Sequence, residues 1–267
     1  MCSSDLEHDV IRELFGRVMK QAEDAKLLST EHFSVDGTLI CAWASIKSFV
    51  PKDGPPPDKG GSKSNPEVDF KRHKRSNDTH HSSSDPDAQL YTKSKKAEAL
   101  PCFMGHVLME NRSGLAIDTR LTQATGTAER EAALDMLAAV AGEQRKTVGA
   151  DKAYDTADFV SGCREMNVTA HVAQNTYGYD TKTGKRARRE SRIDARTTRH
   201  AGYGISQVIR KLIETLFGYG KQHGATIRQV KLRGQPKVSD VFTLSMLAVK
   251  LRRLPKLPVA QAMAGSG

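Results

Sequence analysis

Residues 206–221, SQVIRKLIETLFGYGK, form an amphipathic segment whose charged side chains align on one side. At 100° per residue on an α-helix, Arg210, Glu214 and Lys221 fall within roughly 40° of one another and close to Gln207. The apolar residues fall on the opposite face, which predicts a single helix with one buried stripe: Val208, Ile209, Leu212, Ile213 and Leu216. A solvated face with an Arg–Glu pair is one interpretation of the charges. A face that holds an anionic ligand is the other.

The chain is strongly basic, with 41 Lys and Arg against 31 Asp and Glu in 267 residues and a formal net charge of +10. Residues 182–199 carry eight Lys or Arg and two acids, and residues 221–237 carry five and no acid. Such clusters indicate a nucleic-acid or anionic-membrane surface. The absence of any run of 18 apolar residues argues against a membrane span. The four cysteines form no close pair, which is typical of a reduced cytosol and argues against a zinc site. We therefore predict a cytoplasmic protein with nucleic acid as its partner.

The rest of the chain alternates between strand and helix patterns. The first part is predicted to contain a helix at 7–27, a strand at 32–43, a long loop at 51–88 and a hairpin of 102–110 with 115–121. The middle part is predicted to alternate between a helix at 127–141 capped by Thr127, a strand at 147–150, a helix at 156–166 and a strand at 168–173. A basic segment at 178–204, the helix quoted above and a last helix at 238–253 follow. Antiparallel pairing followed by alternating units predicts an α/β domain with a mixed sheet flanked by helices. This order fits the ribonuclease-H-like fold.

Asp36 is the first carboxylate with a candidate function. Cleavage of phosphodiesters commonly uses two Mg²⁺ ions held by a few carboxylates that come from separate elements. Asp36 lies in the middle of a strand pattern, where an acidic residue is unfavourable unless it has a functional role. The alternative is a hairpin turn at Asp36-Gly37, because Asp-Gly is a strong turn signal.

Asp151 and Glu214 are the second and third candidates. Asp151 follows the buried run Val148-Gly-Ala150, at the sheet edge where α/β proteins present functional groups. Its alternative is a capping or turn acid, with Asp155 and Thr156 as competing caps. Glu214 lies between the two cations of the segment 206–221, where it could face a metal while they contact phosphates.

The segment 206–221 resembles the signature of bacterial insertion-sequence transposases of the DDE class, written Y-(2)-R-(3)-E-(6)-K. Arg210, Glu214 and Lys221 match it with the right gaps, and Gln207 stands where the tyrosine is expected. This departure removes a stacking ring and leaves an amide that can bond a phosphate.

Two earlier segments resemble those that carry the aspartates of this class. Ser34-Val-Asp-Gly-Thr38 is similar to the first and Ala150-Asp-Lys-Ala-Tyr-Asp155 to the second. Further short segments are similar to the insertion-sequence-five type: 65–70, 85–88, 121–126 and 128–130. The resemblance runs from about residue 30 to 253.

The resemblance implies a transposase with a ribonuclease-H-like catalytic domain. Asp36, Asp151 and Glu214 would bind two Mg²⁺ ions, for which Mn²⁺ could substitute. Cleavage at an element end would free a 3′ hydroxyl, which would then attack target DNA. The DNA-binding residues would be Arg210, Lys221 and Gln207, with a further surface formed by Lys182, Lys185, Arg186, Arg188 and Arg189. The partner would be double-stranded DNA, both element ends and target, bound by a homo-oligomer in the bacterial nucleoid.

The resemblance also suggests how the chain is divided. We expect a remnant amino-terminal helix at 1–31, a catalytic domain at 32–254 and a tail at 255–267. Within the catalytic domain, 52–90 is a long loop after the first strand and 178–204 is a basic insertion before the catalytic helix. Residues 1–6 carry no fold signal, and we expect them to be foreign to the natural sequence, with an upstream region missing.

Two other functions remain open. A metal-dependent nuclease or resolvase on the same fold would cut DNA without joining it. An inactive remnant would bind DNA without catalysis.

Overall fold

The computed structural model of the protein describes residues 3–54, 75–92, 98–140, 142–179, 185–222 and 227–257. Within these ranges the strands are β1 (His32–Cys41), β2 (Phe49–Pro51), β3 (His80–Ser82), β4 (Gln89–Tyr91), β5 (Leu100–Glu110), β6 (Ala116–Gln123), β7 (Lys146–Ala150), β8 (Val168–Val172), β9 (Tyr177–Tyr179) and β10 (Arg186–Arg188). The helices are α1 (Ser3–Asp24), α2 (Ala128–Ala138), α3 (Ala157–Glu165), α4 (Ala195–Arg199), α5 (Ala201–Ile209), α6 (Leu212–Gln222) and α7 (Gln235–Arg253).

The main sheet is mixed, with β1 at its centre. β5 runs antiparallel to β1, and the other edge of β5 pairs with β6 and, at its first residues, with β4. On the opposite side, β7 runs parallel to β1 and β8 runs parallel to β7. The order β6-β5-β1-β7-β8, antiparallel on one side of the centre and parallel on the other, is that of the ribonuclease-H-like fold. The predicted fold class is therefore confirmed.

Helices cover both faces of this sheet because alternate residues of β1 point in opposite directions. Phe33 and Val35 pack with the buried side chains of α2 and α3. Ile40 packs on the other face, with the buried side chains of α6 and α7. α1 lies outside α7, where Phe15 and Val18 contact Leu247. None of the described helices has the length and apolar character that a membrane span requires.

The segment 206–221 is not one helix, so that prediction is wrong. The chain breaks at Arg210 and Lys211, whose carbonyl groups accept hydrogen bonds from residues three positions on rather than four. The predicted apolar stripe is buried only in part. Ile213 and Leu216 are in the core as predicted, whereas Val208 is 68% exposed.

Two smaller predictions also differ from the structure. Thr127 makes no side-chain cap, and Thr125 accepts the hydrogen bond from the Ala128 amide instead. The described part of the predicted loop 52–90 is not entirely irregular, because it contains β3, which pairs with β2, and β4.

Candidate active site

Asp36 and Asp151 lie level with each other on neighbouring strands. Ser34 pairs with Gly149 in the parallel ladder, and each aspartate follows two residues later. Asp151 still has an extended backbone, with φ −78° and ψ 178°, so it continues the line of β7 by one residue. Adjacent strands are about 4.8 Å apart, so this register brings the two carboxylates together. The alternative of a turn at Asp36-Gly37 is wrong, because both residues lie within β1 and pair with β5.

The Asp36 carboxyl is in an environment that disfavours its ionised form. Its pKa is raised from 3.8 to about 7, mainly by burial and also by the negative charges of Asp151 and Glu129. A hydrogen bond of 2.8 Å from the Gly37 amide and the positive charge of Arg210 lower the pKa but do not offset burial. A partly dehydrated carboxylate beside like charges is a site whose repulsion a bound cation would relieve.

Asp151 and Asp155 occupy different environments, which the sequence did not distinguish. Asp151 accepts a hydrogen bond of 2.7 Å from the Ala153 amide, so it does cap the short 3₁₀ turn that follows. Asp155 is fully buried, accepts backbone hydrogen bonds from Asn175 and Arg192, and forms an ion pair with Arg189. Asp155 is therefore a structural acid, and Asp151 is the one beside Asp36.

Two cations, Arg210 in the break after α5 and Lys221 in α6, lie near this part of β1. Gln207 donates a hydrogen bond of 2.6 Å to the His171 carbonyl and accepts one of 2.9 Å from the Arg210 side chain. The Lys221 ammonium donates to the Thr38 hydroxyl at 2.6 Å, and Thr38 lies on the same face of β1 as Asp36. Gln207 therefore positions Arg210, whose positive charge acts on Asp36, while Lys221 is held at Thr38, two residues along the same strand.

Glu214 is exposed in the first turn of α6. In the ranges that the structure covers, no three His, Cys, Asp or Glu side chains are grouped closely enough to hold a metal ion. The structure thus brings Asp36 and Asp151 together and does not gather Glu214 with them into a preformed site.

The sequence analysis did not select Glu129, whose charge acts on Asp36. It lies in the first turn of α2, where an acid is expected simply because it faces the helix amino terminus. A Cβ atom placed on Gly37 would lie 2.7 Å from the Glu129 carboxylate. No local pattern indicates this contact, because it depends on how α2 packs against β1.

The predicted basic surface is only partly exposed. Lys182 lies outside the described residues. Lys185, Arg186 and Arg188 are exposed in or beside β10, and the Arg186 guanidinium lies 4.3 Å from the centre of the Tyr177 ring. Arg189 instead donates to the Asp155 carbonyl and pairs with its carboxylate. Three of the five residues therefore form an outward-facing cluster next to an aromatic ring.

The sheet and its paired aspartates place the chain in the class of ribonuclease-H-like proteins. Residues 68–250 match the family model described as Transposase DDE domain, which covers about two thirds of the sequence. The chain therefore belongs to the transposase DDE domain family. The matched segment contains Asp151, Glu214, Arg210 and Lys221 and begins after Asp36.

Solved structures with a similar fold include a piggyBac transposase synaptic complex with hairpin DNA. It is 8% identical, with a TM-score of 0.41, and the similarity covers 88% of this chain and 51% of that one. A Mos1 transposase paired-end complex is 8% identical with a TM-score of 0.27, covering 93% and 63%. The chain thus spans about half to two thirds of the length of these structures. No curated protein sequence matches it.

Proposed function

We propose that this chain is the catalytic part of a DNA transposase that cuts at the ends of an insertion sequence and joins them to target DNA. The observation that carries the proposal is the pair Asp36 and Asp151, level on adjacent strands, with the charge of Arg210 acting on Asp36 and Lys221 bound to Thr38 on the same face of β1. Membership of the transposase DDE domain family supports it. The double-stranded DNA partner, assembly as a homo-oligomer on it and a place in the bacterial nucleoid follow from this proposal.

The residues present fit divalent cations. Asp36 has a raised pKa because it is buried beside like charges, and hard oxygen ligands are what Mg²⁺ prefers. Asp36, Asp151 and Glu214 would hold two Mg²⁺ ions, for which Mn²⁺ could substitute. Bound there, the ions would neutralise charge and activate the attacking oxygen. Glu214 would join the aspartates through a movement of α6, which the break at Arg210–Lys211 separates from α5.

The cationic side chains would bind and orient the DNA backbone. Arg210, held by Gln207, and Lys221, held by Thr38, would bind the phosphates on either side of the scissile bond. Lys185, Arg186 and Arg188 would extend this contact along the duplex, together with the predicted Lys182. Phosphate contacts carry little sequence information, so recognition of the element ends would come from other contacts.

The test is a transposition reaction with a donor plasmid that carries this gene and its flanking DNA, a target plasmid and MgCl₂. The wild type is expected to cut the donor and to give joined products, and Asp36→Asn, Asp151→Asn and Glu214→Gln are expected to give neither. Cutting without joining would identify a nuclease or resolvase. A wild type that binds DNA but shows no metal-dependent cutting would refute the enzymatic proposal.

A further inference from the structure

The Glu129 carboxylate lies against the backbone of β1 next to Asp36. A Cβ atom on Gly37 would be 2.7 Å from Glu129 Oε1 and 3.0 Å from its Cγ, both closer than ordinary contacts. Only a residue without a side chain at position 37 therefore lets the carboxylate reach this point. Glu131, in the same first turn of α2, is exposed.

The sheet has an opening at this point. β1 pairs with β7 only through residues 32–34, and β7 ends at Ala150. Beyond Ser34, the Gly37 amide donates to the side chain of Asp36 and not to a strand. Because this edge of β1 is open, a side chain from the α2 face can approach Asp36, which points to the face covered by α6 and α7.

A buried hydroxyl group gives independent evidence for a polar site here. Tyr154 is 1% exposed, and its hydroxyl has no hydrogen-bond partner among the described residues. Burial raises its pKa most, and the negative charges of Glu129, Asp36 and Asp151 raise it further, so all three carboxylates act electrostatically on this hydroxyl. A buried hydroxyl without a hydrogen-bond partner is energetically unfavourable. A water or ligand atom between these carboxylates would satisfy it.

We propose that Glu129 is a further carboxylate ligand of the divalent-cation site that Asp36 and Asp151 form, an inference that rests on the function proposed above. Three carboxylates with bound waters suffice for Mg²⁺ or Ca²⁺. Without the ion the carboxylates repel one another, and they are not grouped as a preformed metal site. Glu129 would thus supply a carboxylate ligand from the α2 face, while Arg210 and Lys221 would bind phosphates from the opposite face.

The test measures Ca²⁺ binding to the full chain by isothermal titration calorimetry, which needs no turnover. Glu129→Gln is expected to weaken Ca²⁺ binding at least about tenfold, whereas the matched control Glu131→Gln stays within about twofold of the wild type. Asp36→Asn serves as the reference for loss of the site. Urea unfolding in EDTA checks the fold, and Glu129→Gln is expected to keep or raise the wild-type midpoint, because a repulsive charge is removed.

A second variant keeps the negative charge of Glu129 but displaces its carboxylate from the backbone of β1. Gly37→Ala places a methyl group where the Glu129 carboxylate lies, and it is also expected to weaken Ca²⁺ binding at least about tenfold. Wild-type affinity in either Glu129→Gln or Gly37→Ala, with binding lost in Asp36→Asn, would overturn the inference and leave the proposed function standing. Absence of Ca²⁺ and Mg²⁺ binding in the wild type would instead overturn the function itself.

Discussion

Replacing Asp36 by asparagine should stabilise the metal-free protein in a pH-dependent way. The pKa of the buried carboxyl is raised from 3.8 to about 7, chiefly by burial. Between these values the folded protein keeps a proton that the unfolded chain has lost, so the free energy of unfolding falls as pH rises and levels off above about pH 7. The asparagine side chain of the variant never ionises, and its amide oxygen can still accept the hydrogen bond from Gly37.

The size of the effect follows from the width of this window. About two pH units separate pH 5 from the raised pKa, and each is equivalent to roughly 1.4 kcal/mol. Between about pH 5 and pH 8, Asp36→Asn should therefore gain about 3 kcal/mol relative to the wild type. Asp135→Asn, which alters an exposed acid in the middle of α2, should show almost no such change.

The measurement is urea unfolding in EDTA at four pH values, with the difference between variant and wild type plotted against pH. Titrating groups remote from Asp36 cancel in this difference. Adding Mg²⁺ near pH 8 should stabilise the wild type and leave Asp36→Asn almost unchanged, because only the former binds the ion tightly. If the stability difference between variant and wild type stayed constant from pH 5 to pH 8, the raised pKa assigned to the buried Asp36 carboxyl would be refuted.

Three further variants test the packing and the site. Gly105→Ala would place a Cβ 2.7 Å from a buried aromatic ring and should lower the free energy of unfolding by about 1–3 kcal/mol, whereas Gly204→Ala, with nothing within 4 Å, should be neutral or stabilising. Asp155→Asn removes the charge of a buried carboxylate that accepts two backbone hydrogen bonds and pairs with the partly exposed Arg189, and it should cost about 1–3 kcal/mol in urea unfolding with Ca²⁺ affinity unchanged; a loss of affinity would contradict its structural role. Gln207→Ala frees Arg210 and should slow plasmid cutting about tenfold without a change in Tm; an unaltered rate would show that this hydrogen bond does not position the arginine.

The fold was predictable from the sequence because its strands have distinct patterns. The hairpin of β5 and β6 is marked by two apolar runs around a turn, and β7 and β8 by short buried runs between helices. At Asp36-Gly37, however, the local turn signal competed with the strand pattern. Pairing with the whole length of β5 decided the outcome, and that pairing is a long-range property.

The candidate site was predictable only in part. Asp151 and Asp155 have similar sequence contexts, and only the amides of Asn175 and Arg192, distant in sequence, make Asp155 structural. The period of 206–221 fits one continuous helix, yet the structure has two helices there, with Gln207 of α5 bonded to β8 and α6 packed in the core. Helical periodicity describes which residues share a face and contains no information on such contacts.

The early end of β7 has a consequence for how this protein can be regulated or altered. If β7 paired with the whole length of β1, it would separate the two helical layers at the centre of the sheet. Because β7 ends early, side chains from both helical layers can contact the main chain of β1. A substitution in either helical layer, including one in α2, can therefore act directly on the surroundings of Asp36.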